Sequence, residues 1–326
     1  MPHAIRFYQT GGPEVLKWEE VALAKPGPGE VRVRHTAVGL NFTDIYSRVG
    51  VYPPAGGFPS GLGLEGAGVV EEVGPGVKEF KPGQRVAYGT GPLGAYAEVR
   101  NVPAHRLVPL PKGISDKEAA AMMLKGLTAQ YLLRRTYKVK KGDTILFHAA
   151  AGGVGLIACQ WAKALGVTVI GTVGSDEKAA LAKAHGCAHP IVYTREDFVK
   201  RVAEITGGKK VPVVYDSVGK DTFLKSLDCL APLGLVALFG QASGPVEPLN
   251  LGLLAQKGSL YVTRPTLGTY GADAKEMRAG AKELFDLVLK KKIKIEVNQT
   301  YPLKEAARAQ ADLAARKTTG STVFTV

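Results

Sequence analysis

Residues 143–155, which read DTILFHAAAGGVG, decide the fold of this protein. The apolar run 144–147 predicts a short buried strand, and the glycines after it predict a tight turn. Beyond the turn a helical pattern continues to Gly166. This order of strand, turn and helix matches the pattern G-x-G-x-x-G, with Ala150 standing at the first glycine. The stretch therefore predicts a dinucleotide-binding unit.

The glycines of this turn have a physical purpose. At Gly152 the missing side chain lets backbone N–H groups approach a pyrophosphate, and at Gly155 it lets the helix pack closely on the strand. The helix N-terminus adds partial positive charge, which favours a phosphate there. The alternative is a tight strand–helix turn that holds no ligand.

The residues after the turn continue to alternate between strand and helix patterns. This alternation predicts a parallel, doubly wound sheet with helices on both faces. The predicted strands are 143–148, 167–172, 190–193, 211–216 and 233–239, and the predicted helices are 178–185, 196–206 and 223–230.

Residues 1–125 have a different character, because short alternating strands such as Glu30–Arg34 are separated by Pro-Gly turns. We predict a β-rich domain with few helices there. Residues 272–291 form an amphipathic helical pattern, and residues 321–326 form a final strand. The predicted domains are 1–125, 126–265 and 266–326, the last segment returning to the first domain.

Composition limits the class of protein. A chain of 326 residues with 45% apolar and 22% charged residues is an ordinary globular protein of about two domains, not a disordered chain or a disulfide scaffold. Its three cysteines are typical of a reducing compartment. The N-terminus carries no apolar run, so we expect no signal peptide. Residues 144–162 carry no formal charge, but their glycines favour a strand, a turn and a helix over a membrane span. The net charge of +13 suits a phosphate-bearing cofactor and equally suits nucleic acid.

The end of the second predicted strand indicates which dinucleotide binds. NAD-binding folds place a carboxylate there for the ribose 2′-OH, whereas this chain has Gly174 and Ser175, with Lys178 one helical turn further on. A hydroxyl and an ammonium suit the 2′-phosphate of NADPH. Asp176 and Glu177 oppose this interpretation, because either carboxylate could reach a ribose.

Several separate motifs resemble one family, in the family's order and over essentially the whole chain. The chain resembles the medium-chain dehydrogenase/reductase superfamily, and within it the zinc-free bacterial NADPH:quinone oxidoreductases related to ζ-crystallin. The motifs are Gly11–Leu16, Gly39–Asp44, Tyr52–Pro54, Lys125–Thr128, Ala149–Gly155, Tyr215–Gly219 and Leu260–Pro265.

The resemblance implies an α/β protein with a GroES-like β-rich catalytic domain and a Rossmann doubly wound parallel-sheet domain. It implies a cytoplasmic homodimer, paired through the edge strand at 259–263, that uses NADPH. The implied cofactor contacts are Phe42, Thr43, Asp44, Ile45, Tyr46, Thr128, Gly152, Gly153, Val154, Gly174, Ser175, Lys178, Tyr193, Ser217, Phe239, Gly240, Gln241, Ala242 and Arg316.

The resemblance also predicts that no metal is bound. Zinc-dependent relatives carry cysteine where this chain has Asn41, and histidine where it has Leu64 before Glu65. Leucine cannot bind zinc, and an amide is a poor ligand beside thiolate and imidazole. The six histidines show no ligand-pair spacing either.

Without zinc, an alkoxide has no Lewis acid to stabilise it, so the expected acceptor is already electron-poor. We predict hydride transfer from NADPH to quinones, with α,β-unsaturated carbonyls (enones) as the alternative substrates. The candidate catalytic residues are Asn41, Asp44, Tyr46, Tyr52 and Arg264, although Tyr46 and Tyr52 could equally be ordinary packing aromatics.

Basic clusters at 138–141, 209–210 and 290–294 leave a non-enzymatic alternative open. Some ζ-crystallin relatives bind RNA, so an RNA-binding or structural protein is the second class of function. No RNA-recognition aromatic motif accompanies the clusters, and a solvated surface is the simpler interpretation.

Overall fold

The strands of this protein form three sheets, as seen in a computed structural model that describes residues 1–326. The strands are β1 (His3–Phe7), β2 (Lys17–Glu20), β3 (Glu30–Leu40), β4 (Ser60–Gly61), β5 (Gly66–Val73), β6 (Arg85–Tyr88), β7 (Val99–Pro103), β8 (Val108–Pro109), β9 (Thr144–Phe147), β10 (Thr168–Val173), β11 (His189–Val192), β12 (Val211–Asp216), β13 (Leu230–Leu238), β14 (Tyr261–Thr263), β15 (Val297–Pro302) and β16 (Ser321–Thr325).

The α-helices are α1 (Phe42–Arg48), α2 (Asp116–Tyr131), α3 (Gly153–Ala164), α4 (Asp176–Ala184), α5 (Phe198–Ile205), α6 (Phe223–Asp228), α7 (Gly252–Gln256), α8 (Leu267–Tyr270), α9 (Ala274–Leu289) and α10 (Ala306–Ala314). Among them, none combines the length and the apolar character needed to cross a lipid bilayer. The uncharged stretch that begins at residue 144 is instead divided between β9, a turn and α3.

Two compact units divide the chain. Unit 1 contains residues 1–127, 271–289 and 295–326, and unit 2 contains residues 128–270 and 290–294. Unit 2 thus extends past the predicted boundary at 265 and includes a short segment that the sequence pattern assigns to the C-terminal return.

Unit 2 is built on a six-stranded sheet in the order β11-β10-β9-β12-β13-β14, in which every pairing is parallel. The prediction of a doubly wound parallel sheet is confirmed. Its interior is formed by inward-facing apolar residues such as Leu146, Ile170 and Val214. The order in which the strands are added to the sheet reverses between β9 and β12, and ligands of such sheets bind in the crevice at the carboxyl ends of the strands on either side of that reversal.

Unit 1 holds a largely antiparallel seven-stranded sheet, with β15-β16-β3-β5-β6-β8 in one path and β7 paired to β3. Along β3 the even spacing of apolar residues buries Val31 and Val33, as the alternating pattern predicts. The C-terminal strand β16 pairs antiparallel with β3, so the end of the chain completes this sheet.

Two helices of unit 1 were not predicted. Helix α1 is short, and α2 spans the expected boundary at 125. The start of α2 had a readable signal, because Ser115 and Glu118 exchange side-chain and backbone hydrogen bonds at its N-terminus, as in a capping box. The body of α2 is Ala- and Met-rich and buried on most sides, so it lacks the amphipathic period that identifies a surface helix.

Candidate nucleotide-binding site

The glycine turn after β9 is tight, and its backbone atoms pack closely on one another. Gly152 is the extended N-cap of α3, and its N–H donates to the carbonyl of Ala149 at 2.9 Å. A Cβ added to Gly155 would press on the carbonyl oxygen of Ala149 and lie 2.6 Å from that of Ala150. The turn therefore needs glycine at 155, and it directs the unpaired N–H groups of the first turn of α3 outward, at Gly153 and the residues beside it.

A buried hydrogen-bond network supports the turn, and sequence reasoning missed it. The imidazole of His148 lies 2.8 Å from the Thr172 hydroxyl and 2.9 Å from the Ser226 hydroxyl, and Ser226 in turn donates to Asp216 at 3.2 Å. Burial lowers the pKa of His148, although Asp216 opposes that shift. The network ties the strand before the glycine turn to β10 and β12.

Asp216 also organises the loop after β12. Its carboxylate accepts hydrogen bonds from the N–H groups of Val218 and Gly219, at 2.8 and 3.0 Å, so the loop that follows Ser217 has a fixed path. A Cβ on Gly240 would come within 2.6 Å of the Ser217 carbonyl oxygen.

The loop after β13 packs against that same path. The N–H of Ala242 donates to the Ser217 carbonyl at 3.1 Å, and the Phe239 ring lies 5.7 Å from that of Phe147. The structure thus brings Ser217 and residues 239–242, including Gln241, together at the carboxyl ends of the strands.

The polar cluster after β10 contains the residues that the sequence assigns to a 2′-phosphate. Ser175 caps α4 and accepts a hydrogen bond from the Lys178 N–H at 3.3 Å. The hydroxyl of Tyr193 approaches Gly174, where an added Cβ would lie 3.2 Å from it. The structure therefore brings together four of the predicted residues, namely Gly174, Ser175, Lys178 and Tyr193.

Arg195 is a cation in this cluster that the sequence did not reveal. Its guanidinium makes two 2.6 Å hydrogen bonds with the carboxylate of Asp176, one of the two carboxylates that favoured NADH. The bonds to Arg195 lower the pKa of Asp176. Asp176 is thus engaged by a neighbouring cation, and only the loop position of Arg195 after β11 could have suggested that contact.

Unit 1 carries a small aromatic cluster. The ring of Tyr46 lies 5.4 Å from that of Phe42 and 5.4 Å from that of Tyr52, the latter pair edge to face. Thr43 is half-buried beside them, and Tyr52 is exposed. Of the candidate catalytic residues, Tyr46 and Tyr52 are therefore the two that the structure brings together with accessible surface.

Asn41 and Asp44 are both buried at the start of α1. Asp44 is inaccessible, and its carboxylate accepts hydrogen bonds from the Asn41 N–H at 2.9 Å and the Tyr96 hydroxyl at 2.7 Å. Burial raises the pKa of Asp44 to about 7, against the lowering effect of these bonds. Asp44 thus holds the start of α1, and its role in a cofactor or catalytic site stays a prediction. Ile45 is likewise buried.

The amide of Asn41 is already engaged. Its Nδ2 donates to Glu65 at 2.8 Å, and the same carboxylate accepts from the Leu124 N–H at 2.8 Å and pairs with the Lys125 ammonium at 3.0 Å. Glu65 and Lys125 are both buried. The Asn41 amide thus has a buried carboxylate as its partner.

Three predicted residues remain, namely Thr128, Arg264 and Arg316. Thr128, on α2, is buried. Arg264 follows β14 and donates to the carbonyl of Leu238, the last residue of β13, at 2.8 Å. Arg316 is exposed after α10 in unit 1, in the left-handed region with φ 59°.

Comparison with known proteins identifies the family of this chain. Residues 27–112 match the alcohol dehydrogenase GroES-like domain, and residues 153–286 match the zinc-binding dehydrogenase family. A quinone oxidoreductase of Pseudomonas aeruginosa is 62% identical over 324 residues, covering 99% of both chains. The crystal structure of Escherichia coli quinone oxidoreductase complexed with NADPH superposes with a TM-score of 0.98 at 52% identity, covering 99% of this chain and 100% of that one. A 2-haloacrylate reductase of Burkholderia is 50% identical, covering 99% of both chains.

A GroES-like domain joined to a Rossmann-type domain defines the medium-chain dehydrogenase/reductase superfamily. Within that superfamily, this chain belongs to the quinone oxidoreductase family. The resemblance drawn from the sequence motifs and the predicted fold class are both confirmed.

Zinc does not fit the residues present, despite the name of the second matching family. Asn41 and Leu64 stand at the expected ligand positions, and Glu65 is already bonded to an ammonium, an amide and a backbone N–H. No group of three or more His, Cys, Asp or Glu side chains in residues 1–326 could hold a metal ion.

Proposed function

We propose that this protein reduces quinones by transferring a hydride from NADPH, without a metal ion. The observation that carries the proposal is the cluster of Ser175, Lys178, Tyr193 and Arg195 beside the glycine turn. It offers hydroxyls and cations where a 2′-phosphate would lie, and the carboxylate of Asp176 is bonded to Arg195. The relatives with quinone oxidoreductase names support the same assignment.

When bound, NADPH supplies the hydride, and the chain's residues bind and orient the cofactor. The first-turn N–H groups of α3, at Gly153 and Val154, receive the pyrophosphate, with Gly152 letting it come close. Lys178 and Ser175 receive the 2′-phosphate. The loops at Ser217 and 239–242 form the wall of the crevice, held by Asp216.

The residues at the zinc-ligand positions indicate which kind of substrate accepts the hydride. Asn41 and Leu64 stand at the zinc-ligand positions and do not suit zinc, the Lewis acid of the zinc-dependent relatives, so the substrate must accept a hydride without metal polarisation. A quinone does so, and the anion formed takes its proton from water. Tyr46 and Tyr52 present an aromatic face and two hydroxyls suited to a flat, electron-poor ring.

Enone reduction is the second candidate, because a 2-haloacrylate reductase is 50% identical over the full chain. Both reactions deliver a hydride to an electron-poor carbon. A panel of quinones and α,β-unsaturated carbonyls with NADPH, run with and without a chelator, decides between them. Quinones should give the highest kcat/KM, and loss of activity with the chelator followed by recovery with zinc would contradict the proposal.

Assembly and location complete the proposal. The outer strand β14 exposes Tyr261 and Val262 on an unpaired sheet edge, and such edges usually acquire a partner. We infer a homodimer in which two β14 strands pair across a two-fold axis. The free and buried Cys159, Cys187 and Cys229 are consistent with a reducing, cytoplasmic location.

A further inference from the structure

The basic clusters that are scattered along the sequence converge at one end of the unit 2 sheet. Strand β12 pairs in parallel with β9, with Val214 opposite Leu146. Counting back along both strands places Lys209 and Lys210, just before β12, level with residues 141 and 142, just before β9. Lys141 and Lys209 therefore precede neighbouring strands at the same end of the sheet.

Two lysine side chains that pack against glycines extend the group of lysines toward β10 and β11. The Lys141 side chain crosses Gly166, where an added Cβ would lie 2.9 Å from its Cγ. The Gly166 N–H donates to the Lys163 carbonyl at 3.0 Å, and the Lys163 side chain in turn lies over Gly186. The Gly186 N–H donates to the Lys183 carbonyl at 3.1 Å.

The segment 290–294 adds to the same side of unit 2. Gln160, three residues before Lys163 on α3, binds the backbone of Lys294 through both its amide atoms, at 2.8 and 3.1 Å. This contact holds the segment against α3, and the segment includes the exposed Lys290, Lys291 and Lys292. The cluster that ends α9 in sequence thus belongs to the Rossmann unit.

We call the resulting surface the lysine edge. It consists of Lys138, Lys140, Lys141, Lys163, Lys183, Lys209 and Lys210, and the segment 290–294 flanks it. All seven are exposed, and none of their ammonium groups forms a salt bridge.

The carboxylates on this side do not neutralise the lysine edge. Glu204, at the end of α5, is paired with Arg201, and Asp228, at the end of α6, is paired with Lys257. Asp143 accepts the backbone N–H of Lys140 at 2.8 Å and is half-buried. The lysine edge therefore carries a concentrated positive charge.

We propose that the lysine edge binds the surface of anionic lipid bilayers. A cluster of lysines on adjacent loops at one end of a sheet suits a plane of lipid phosphates, which attracts basic residues without geometric matching. Single-stranded nucleic acid is the poorer fit, because its binding surfaces combine cations with aromatic side chains for base stacking. The aromatic side chain next to Lys138, that of Tyr137, is half-buried and hydrogen-bonded to Asp143.

The position of the lysine edge is compatible with catalysis at a membrane. It lies at the amino ends of the parallel strands, whereas the glycine turn and the polar cluster at Ser175 lie at the carboxyl ends. Lipid contact at the lysine edge thus leaves the nucleotide-binding crevice of unit 2 open. The inference does not depend on the proposed function.

The test is co-sedimentation of the full-length protein with vesicles of phosphatidylcholine containing about one third phosphatidylglycerol, at about 0.1 M salt. The protein should bind these vesicles, should not bind pure phosphatidylcholine, and should dissociate as salt rises. Each lysine contributes about a fivefold change in partitioning. The combined variant Lys141→Gln, Lys163→Gln, Lys209→Gln, Lys210→Gln should therefore partition at least about a hundredfold less.

A control variant with the same change in net charge tests whether position matters. Its substitutions are Lys25→Gln, Lys78→Gln, Lys81→Gln and Lys112→Gln, at exposed lysines of unit 1. The control should bind vesicles nearly as well as the wild type. Equal loss in both variants, or no wild-type binding to anionic vesicles, overturns the proposal.

Two further measurements separate lipid binding at the lysine edge from damage to the fold and from RNA binding. Both variants should keep the wild-type thermal unfolding midpoint and the wild-type rate of NADPH oxidation with a water-soluble quinone, because neither set touches the crevice. Filter binding to a single-stranded RNA identifies the other class of partner. Binding to RNA through the lysine edge, without binding to anionic vesicles, would show that the lipid assignment is wrong.

Discussion

Lys178 is the residue on which cofactor choice depends. NADPH differs from NADH by one phosphate, and a hydrogen bond to a charged group contributes about 1.5–3 kcal/mol. Lys178→Ala should therefore raise the KM for NADPH about ten- to a hundredfold, and should leave that for NADH nearly unchanged. The effect should decrease as salt rises.

Steady-state kinetics with both cofactors make this measurement, and Lys183→Ala, at the other end of α4, is the matched control. Equal weakening of both cofactors would mean that Lys178 does not contact the phosphate. A wild-type preference for NADH would instead assign the ribose to Asp176 or Glu177.

Asp44 should make the stability of the protein depend on pH. Its pKa is raised from 3.8 to about 7, mainly by burial, and its Oδ1 has no hydrogen-bond partner. The folded protein therefore holds this proton more tightly than the unfolded chain does. Its contribution to stability is full below about pH 4 and is lost as pH rises toward about 7.

Urea unfolding midpoints of the wild type and Asp44→Asn across this pH range test the assignment. The amide variant keeps an acceptor for Asn41 and Tyr96 but cannot titrate, so its midpoint should fall less between pH 4 and 7. Asp221→Asn, at an exposed carboxylate, serves as the control. Parallel curves for Asp44→Asn and the wild type would exclude Asp44 as the titrating group.

Lys125 is expected to be structural because its partner is a buried carboxylate. Lys125→Met leaves Glu65 without its cation, and breaking a buried ion pair from one side costs about 3–5 kcal/mol. The double variant Lys125→Met, Glu65→Gln removes both charges and should recover part of that loss. Chemical denaturation measures all three proteins, and a double variant no more stable than Lys125→Met would contradict this role of the ion pair.

At the scale of an element, the glycine turn and α3 act together. Gly155→Ala places a methyl group against two backbone carbonyl oxygens that cannot rotate away, so the N-terminus of α3 must move. We expect a loss of about 1–3 kcal/mol in stability. The KM values for NADPH and NADH should both rise, since the pyrophosphate is common to them.

This pattern distinguishes the turn from Lys178, which should affect NADPH alone. Gly56→Ala is the control, because a Cβ there meets nothing within 4 Å. Unchanged cofactor kinetics in Gly155→Ala would show that the turn tolerates the methyl group.

The sequence predicted best those elements that have a clear pattern of apolar and turn residues. The strands of unit 2 are short apolar runs between turn residues, and they lie within one or two residues of their predicted positions, except that β13 begins at Leu230, three residues before its predicted start. Helix α2 was missed because burial on most sides removes the helical period. The capping pair Ser115 and Glu118 was the one local signal for it.

At the scale of the whole molecule, assembly depends on the edge strand β14. Val262 is 38% exposed on this edge, and a lysine there would place two like charges near each other across a two-fold axis. Val262→Lys should therefore shift the mass in light scattering from dimer to monomer at micromolar concentration. Thr266→Lys, just beyond the strand, should remain dimeric, and a monomeric wild type would rule out the pairing.

The sequence by itself determined the fold class, the place of the glycine turn and the family, because each depends on local patterns of glycine, apolar residues and short motifs. Only the tertiary structure decided which side chains the candidate residues contact. It buried Asn41 and Asp44 in contacts to Glu65 and Tyr96, and it brought Arg195 to Asp176. The physical reason is that a side chain's partners come from elements distant in sequence, and no local pattern records which strand ends the sheet places together.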